Sequence, residues 1–345
     1  MATSGDGLWS ATLDVTGAAR RSTELAQGRR AVEEVLPVRR YTNILFSPLG
    51  THDNNLAVRN IAELVVGTSA RLTLFGVIPT PSGLRQLLSR AEIEQELRDR
   101  RRSELERELS RWGHRIGCSA VETIVGTGKP AQSIIERVVN GGHDLVVVTA
   151  DDDREDQATI RRLMRNCPCP VWLIRPTRAR TLRVLAAVNP DPDEADLNRL
   201  ILELAASMVE LNGGELHVSH AWELFGEYPL PWPALVHATP AEIDELRRRL
   251  HDTRQRAVEQ LLSQPSVVSA PWKVHLVKGQ PEQVIPRLAA TLRINLLVMG
   301  TVARTGVSGL VMGNTAEHVL DRVHCSVIAV KPPGFVSPIK PMSPG

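Results

Sequence analysis

The chain has 345 residues, of which 42% are apolar but only 3% aromatic, with a formal net charge of +2. That length points to two domains rather than one core, and the near-neutral charge leaves no footprint for nucleic acid or a membrane surface. No stretch is long and apolar enough for a transmembrane helix, and residues 1–40 hold no apolar leader core, so a cytoplasmic protein is expected.

Residues 1–40 carry weak periodicity and the arginine pairs Arg20-Arg21, Arg29-Arg30 and Arg39-Arg40, and read as a mobile arm. Strands are then expected at 43–48, 71–78, 121–126, 144–149 and 171–175, with helices at 54–66, 84–112, 130–140 and 156–165. After a short linker at 176–181, strands follow at 183–189, 215–221, 273–278, 295–300 and 326–331. The helices between them are expected at 195–211, 240–263, 281–292 and 314–323. The proline-rich residues 333–345 read as a disordered tail. The two domains are thus expected at 41–177 and 181–332. Aliphatic strands alternating with helices imply an α/β fold with parallel sheets buried on both faces. Asn140-Gly141-Gly142 and Asn212-Gly213-Gly214 mark helix ends with left-handed caps. The helix at 84–112 interleaves acids with arginines, as in Glu94/Arg98 and Glu96/Arg100, and reads as a solvated face rather than an RNA-binding arm.

The halves repeat one another. Gly128-Lys129-Pro130-Ala131-Gln132 matches Gly279-Gln280-Pro281-Glu282-Gln283, and Asp144-Leu145-Val146-Val147-Val148 matches Asn295-Leu296-Leu297-Val298-Met299 at the same offset. Asn43-Ile44-Leu45-Phe46 matches Arg183-Val184-Leu185-Ala186, and Cys169-Pro170-Val171 matches Cys325-Ser326-Val327. Order is preserved, so the chain reads as a tandem duplication.

The stretch from Val298 to Leu320 carries the chemistry. An apolar run ends at Gly300, a polar loop with Gly306, Gly309 and Gly313 follows, and Asn314 opens an amphipathic helix. Strand, glycine loop and helix N-terminus together cradle phosphate, because free N–H groups and the helix dipole face the anion. A plainer reading is a well-capped helix start, with Asn314 at the cap and Glu317 three residues on.

This stretch resembles the nucleotide loop of the universal stress proteins, G-x2-G-x9-G-[ST], aligned on Gly300, position 303, Gly313 and position 314. Ala303 and Asn314 depart from the pattern. With GGHDLVVV (141–148), CPCPVWLIRP (167–176), VLAAVN (184–189) and KGQPEQVIPRLA (278–289), residues 41–332 resemble a tandem, E-type member of that family. The resemblance implies two flavodoxin-like, Rossmann-like domains, each a five-stranded parallel sheet of order 3-2-1-4-5. Its topological switch point then lies between the first and fourth strands, where a ligand binds outside their carboxyl ends. In the second domain those ends are Asn189 and Gly300.

By that resemblance the ligand is ATP or another adenine nucleotide, with or without Mg²⁺, held by the second domain only. Asn189, standing where the family has an acidic residue, would contact adenine or ribose, and Val218 would lie near the adenine. Gly300 would let the backbone approach, with Thr301, Ala303 and Gly306 in the same loop. Gly313 and the N–H groups of Asn314 and Thr315 would meet phosphate, with Arg304 adding a charge. If position 303 needs a positive φ, its methyl would cost about 1–2 kcal/mol.

The first domain lacks the loop. Leu49 stands in place of the acid, and Thr149-Ala150 leads into Asp151-Asp152-Asp153-Arg154-Glu155-Asp156, which would repel a triphosphate. That cluster reads as a solvated helix N-terminus or a divalent-cation site. This domain is therefore expected to be a degenerate partner, or a binder of some apolar molecule. The resemblance also implies pairing of domains through their last strands, here Val171–Arg175 and Val327–Val330, and so a nucleotide-independent pseudodimer or homodimer with protein partners as the rival reading.

The remaining signals are weaker. Cys118, Cys167, Cys169 and Cys325 form no disulfide framework, and Cys167-Pro168-Cys169 reads as buried thiols, a redox pair or half a metal site. His217, His220 and His275 could suggest zinc, but His217 and His220 fall on opposite faces of one strand. His318 and His324 read as surface or capping groups, and Ser308 and Thr315 as ordinary polar residues that phosphorylation could reach. No sequence signature names a nucleophile or general base, so no catalysis beyond slow ATP hydrolysis is expected.

Overall fold

The computed structural model describes residues 11–14, 41–49, 54–79, 91–118, 121–149, 154–177, 179, 181–223, 239–264, 271–303 and 311–339. In chain order the elements begin β1 (Ala11–Asp14), β2 (Asn43–Pro48), α1 (Asn55–Thr68), β3 (Arg71–Pro79), α2 (Ala91–Ile116), β4 (Val121–Gly128) and α3 (Pro130–Gly141). Then come β5 (Leu145–Thr149), α4 (Arg154–Asn166), β6 (Val171–Ile174), β7 (Arg183–Ala187), α5 (Ala195–Asn212), β8 (Glu215–Trp222) and α6 (Pro240–Leu262). The last are β9 (Trp272–Lys278), α7 (Pro281–Thr291), β10 (Leu296–Gly300), β11 (Val302–Ala303), β12 (Val311–Met312), α8 (Asn314–Arg322) and β13 (Ser326–Val330). None of the described helices is long and apolar enough to cross a membrane.

The chain forms two compact units that follow the repeats with one exchange. The first-repeat unit comprises Arg39–Ala179, Thr301–Glu317 and His324–Gly345; the second-repeat unit comprises Met1–Val38, Arg180–Gly300 and His318–Val323. The expected domain at 181–332 is thus split, because β13 is a ladder partner of β6. The two run antiparallel, pairing Val327 with Leu173 and Ala329 with Val171.

The first-repeat unit has strand order β4-β3-β2-β5-β6-β13. Its first five strands show the expected 3-2-1-4-5 order, and their ladders are parallel. Ile44, Leu45, Phe46, Leu72, Leu74 and Leu145 are fully buried, each contributing about 1.5–3 kcal/mol of transfer free energy. The ring of Trp112 meets Phe46 edge-on with centroids 5.1 Å apart. Trp112 and Ile116 are both buried, which carries α2 beyond the expected end at 112; its expected start lies outside the described residues.

The second-repeat unit has order β1-β9-β8-β7-β10. Four strands keep the 3-2-1-4 order in parallel, and β1 adds an antiparallel edge that pairs Ala11 with Leu276 and Asp14 with Lys273. A strand therefore interrupts the expected mobile arm, although the rest of that arm lies outside the described residues. Bonding of β1 satisfies part of the open backbone edge of β9. The tail also departs from expectation: Phe335 is buried, its N–H donates to Pro332 O, and Lys331 Nζ lies 5.1 Å from its ring centroid.

Both repeats fix the amino ends of their first and fourth strands alike. Asp144 accepts from the N–H groups of Thr42 and Asn43, and Asn295 accepts from the N–H of Arg183 while donating to Thr181 O. Helix ends follow the glycine signals, with φ of 61° at Gly142 and 67° at Gly213.

Candidate functional site

The repeats diverge at the carboxyl ends of these strands. In the second-repeat unit the β7–β10 ladder runs from Val184–Leu296 to Ala187–Met299 and stops. Val188 N–H then turns to β8 and donates to Ser219 O at 3.0 Å. Asn189 N–H donates to Asn198 Oδ1 at 3.1 Å, and Asn198 Nδ2 returns a bond to Asn189 O at 2.6 Å. Asn198 is 1% exposed on α5, so this reciprocal pair holds the end of β7 against the helix. The exposed Asn189 side chain donates to Glu194 Oε1 at 3.3 Å. Pro190, next in the chain, has no N–H with which to rejoin a ladder.

Gly300 ends β10 beside this departure. A Cβ at Gly300 would stand 2.8 Å from Leu197 Cδ2, so close packing of α5 already requires glycine there. Val218 pairs with Ala186 and Val274 and has no exposed surface, which makes it a core residue of the sheet. The sequence-level contact between Val218 and adenine is therefore not available in this structure.

The equivalent place in the first-repeat unit is closed. The β2–β5 ladder continues to Pro48–Thr149, and Leu49 N–H donates to Thr149 O at 2.8 Å. Thr149 is buried. Of the acid cluster, Asp151, Asp152 and Asp153 lie outside the described residues. Glu155 and Asp156 occupy the first turn of α4, where carboxylates complement the helix dipole.

The glycine-rich segment enters the first-repeat unit at Thr301. Arg304, Gly306, Ser308 and Gly309 lie outside the described residues. Their flanks, β11 and β12, form an antiparallel pair matching Val302 with Met312 and Ala303 with Val311. Ala303 thus lies in extended, paired backbone, and the penalty expected for a methyl at positive φ does not arise in this conformation. Thr301 is fully buried. Its N–H donates to Val330 O, its hydroxyl lies 3.3 Å from Met164 O, and Lys331 Nζ donates to its Oγ1. Thr301 is consequently a packing residue with no surface left for a ligand.

Gly313 N–H donates to Thr301 O at 3.1 Å, so this donor too is already engaged. Glu317 N–H donates to Gly313 O, which makes Gly313 the helix cap and Asn314 the first helical residue. The Asn314–Glu317 capping pair read from sequence is displaced by one position, and Glu317 instead pairs with Arg165. The N–H groups of Asn314 and Thr315 lie in the first turn of α8, where backbone donors have no helical acceptor.

The histidines split as alternation requires. His217 Nδ1 and His275 Nε2 are 2.9 Å apart in the buried sheet, whereas His220 Nδ1 meets Val188 O at 3.2 Å. No group of three metal-ligating side chains occurs among the described residues. Burial lowers the pKa of all three histidines, to about 4 for His220 and His275. His220 accordingly reaches the carboxyl end of β7 as a neutral ring bound to the carbonyl of Val188. Sequence gave no sign of this support, nor of the Asn198 clasp, because both depend on which side chains reach the last residues of β7.

The universal stress protein family model matches residues 40–175 and 182–331. The chain is 31% identical to universal stress protein E of Escherichia coli K12, over 63% of this chain and 70% of that one. It is 28% identical to the universal stress protein E homolog of Haemophilus influenzae, over 80% of this chain and 91% of that one. A solved protein of unknown function from Pseudomonas aeruginosa PAO1 shares the fold at a TM-score of 0.60 and 24% identity, with 85% of this chain and 93% of that chain covered. A universal stress protein from Archaeoglobus fulgidus does so at 0.54 and 17%, with 84% and 98% covered.

Proposed function

Because the chain belongs to the universal stress protein family, we propose that it is a cytoplasmic stress-response protein whose second repeat binds an adenine nucleotide such as ATP. The observation that carries this reading is the early departure of β7 from β10, with Asn189 exposed at the end of β7. A parallel sheet binds ligands where neighbouring strands part at their carboxyl ends. Asn189 offers an amide oxygen and, on exchange with Glu194, an amide N–H to a base or ribose. The sequence pattern supplies the phosphate part through the first-turn N–H groups of Asn314 and Thr315, with Arg304 for charge. Thr301, Val218 and the Gly313 N–H, which the structure engages elsewhere, take no part. Binding serves regulation, and no residue is assigned a catalytic role.

The test is equilibrium binding of a fluorescent ATP analogue with Mg²⁺ to the full chain and to Gly313→Val. Saturable binding that is lost in the variant, with its circular dichroism unchanged, supports the proposal. Equal binding by both proteins contradicts the placement of phosphate at the start of α8.

The antiparallel ladder of β13 with β6 favours a second reading. The last strands of the two repeats join within the first-repeat unit, as a nucleotide-independent interaction protein would require. Full stress-related activity in a variant that cannot bind nucleotide would select this reading.

A further inference from the structure

The first repeat contains a pair of thiols that its role as a partner domain leaves unused. Cys167 follows α4 directly, with its N–H donating to Leu163 O, and Cys169 lies just before β6. The chain bends at Pro168 and Cys169. An extended pair at this spacing would hold its Cα atoms roughly 7 Å apart, at the far limit for a disulfide, and a bend shortens that separation. Here the two Sγ atoms are 3.6 Å apart. Cys167 is fully buried and Cys169 is 8% exposed. The buried ammonium of Lys331, bound to Met164 O and Thr301 Oγ1, stands within electrostatic range of Cys167.

Packing alone does not call for two thiols. In the second repeat the place of Cys167 is taken by Val323, itself 4% exposed, so an apolar side chain meets the structural need. Nor is there a third ligand with which the pair would complete a tetrahedral metal site among the described residues.

We propose that Cys167 and Cys169 form a reversible dithiol–disulfide couple oxidised by a small peroxide. Cys169, the sulfur with solvent access, attacks one oxygen of hydrogen peroxide as the thiolate. The O–O bond breaks, Cys169 becomes a sulfenic acid, and the departing hydroxide takes the thiol proton and leaves as water. Cys167 then attacks the sulfenic sulfur, an S–S bond forms, and the hydroxyl leaves with the Cys167 proton as a second water. Two electrons pass from the sulfurs to the peroxide, and an external thiol reverses the change. Burial and the hydrogen bond from Cys167 hold the Cys169 pKa well above the ordinary range, so little thiolate is present and oxidation is slow. Such a couple responds to sustained peroxide and excludes bulky disulfide reagents.

The experiment exposes the native full chain to hydrogen peroxide, removes the peroxide with catalase, and alkylates in denaturant. Tryptic cleavage after Arg165 and Arg175 isolates both cysteines in one peptide, 166–175. The expected peptide is lighter by two hydrogens, takes up no alkyl group, and regains both alkylation sites after dithiothreitol. Cys167→Val, which copies the second repeat, should keep the fold and abolish this loss of two hydrogens. Full alkylation after native exposure, when the unfolded chain does oxidise, would overturn the couple. So would accumulation of sulfinic acid on Cys169 with Cys167 still reduced.

Discussion

The carboxyl ends of β2 with β5 and of β7 with β10 come from one repeated sequence and finish differently. In the first repeat, Leu49 N–H adds a further bond to the ladder. In the second, Asn189 replaces Leu49, and Asn198 captures both backbone groups of Asn189. One closed end and one open end follow from a few side chains while the rest of the sheet keeps its register. A duplicated fold can therefore retain its core in both copies and reserve a ligand-sized departure of strands for one.

The largest effect expected from breaking this comparison comes from acid. His220 supports the open end as a neutral ring, with its pKa lowered by burial from 6.5 to about 4. A lowered histidine pKa contributes stability that is full above the unfolded value and is lost as pH falls toward the folded one. Between pH 6.5 and 4 the linkage amounts to about 3 kcal/mol for His220, with His275 adding in the same direction. Urea unfolding across that range should show the loss, and His220→Gln should flatten it. An unchanged slope would contradict the neutral support of Val188.

Asn198→Leu should come next. It removes two hydrogen bonds to Asn189, a loss of about 2 kcal/mol, and should weaken ATP binding at least tenfold. Chemical denaturation and ATP titration measure the two effects. Full affinity in the variant would mean that the open end is not set by the clasp. Gly300→Ala presses a methyl against the flexible end of Leu197 and should cost about 1 kcal/mol, also read by denaturation.

Ala303→Gly sharpens the account with a small effect. Because Ala303 lies in a paired strand, glycine should lower stability by about 0.5–1 kcal/mol and leave affinity within a few-fold. A tenfold gain would show that nucleotide binding requires the left-handed backbone that the sequence pattern suggested. Leu49→Asn in the first repeat should have no effect on nucleotide stoichiometry, since the β2–β5 ladder remains closed.

The strands that build the sheets were legible because each is an aliphatic run bounded by proline, glycine or a helix start, and duplication displayed each pattern twice. Gly300 and Asn189 were legible as strand ends. The four-residue β1 carries too few residues for a period, and β11 and β12 are shorter still. Thr301 looked like a loop residue, yet Val330, Met164 and Lys331 enclose it, and all three lie far away in sequence. Phe335 was the one aromatic in a proline-rich tail, a signal that could have marked an anchored segment. The Asn198 clasp was hidden because an asparagine in a helix carries no mark of the strand end that it holds.

Isothermal titration of the nucleotide-stripped full chain with ATP and Mg²⁺ tests the central claim most directly. One micromolar site per chain, lost in Asn198→Leu and retained in Leu49→Asn, is the predicted result. Silence up to millimolar ATP, or two equivalent sites per chain, would contradict it.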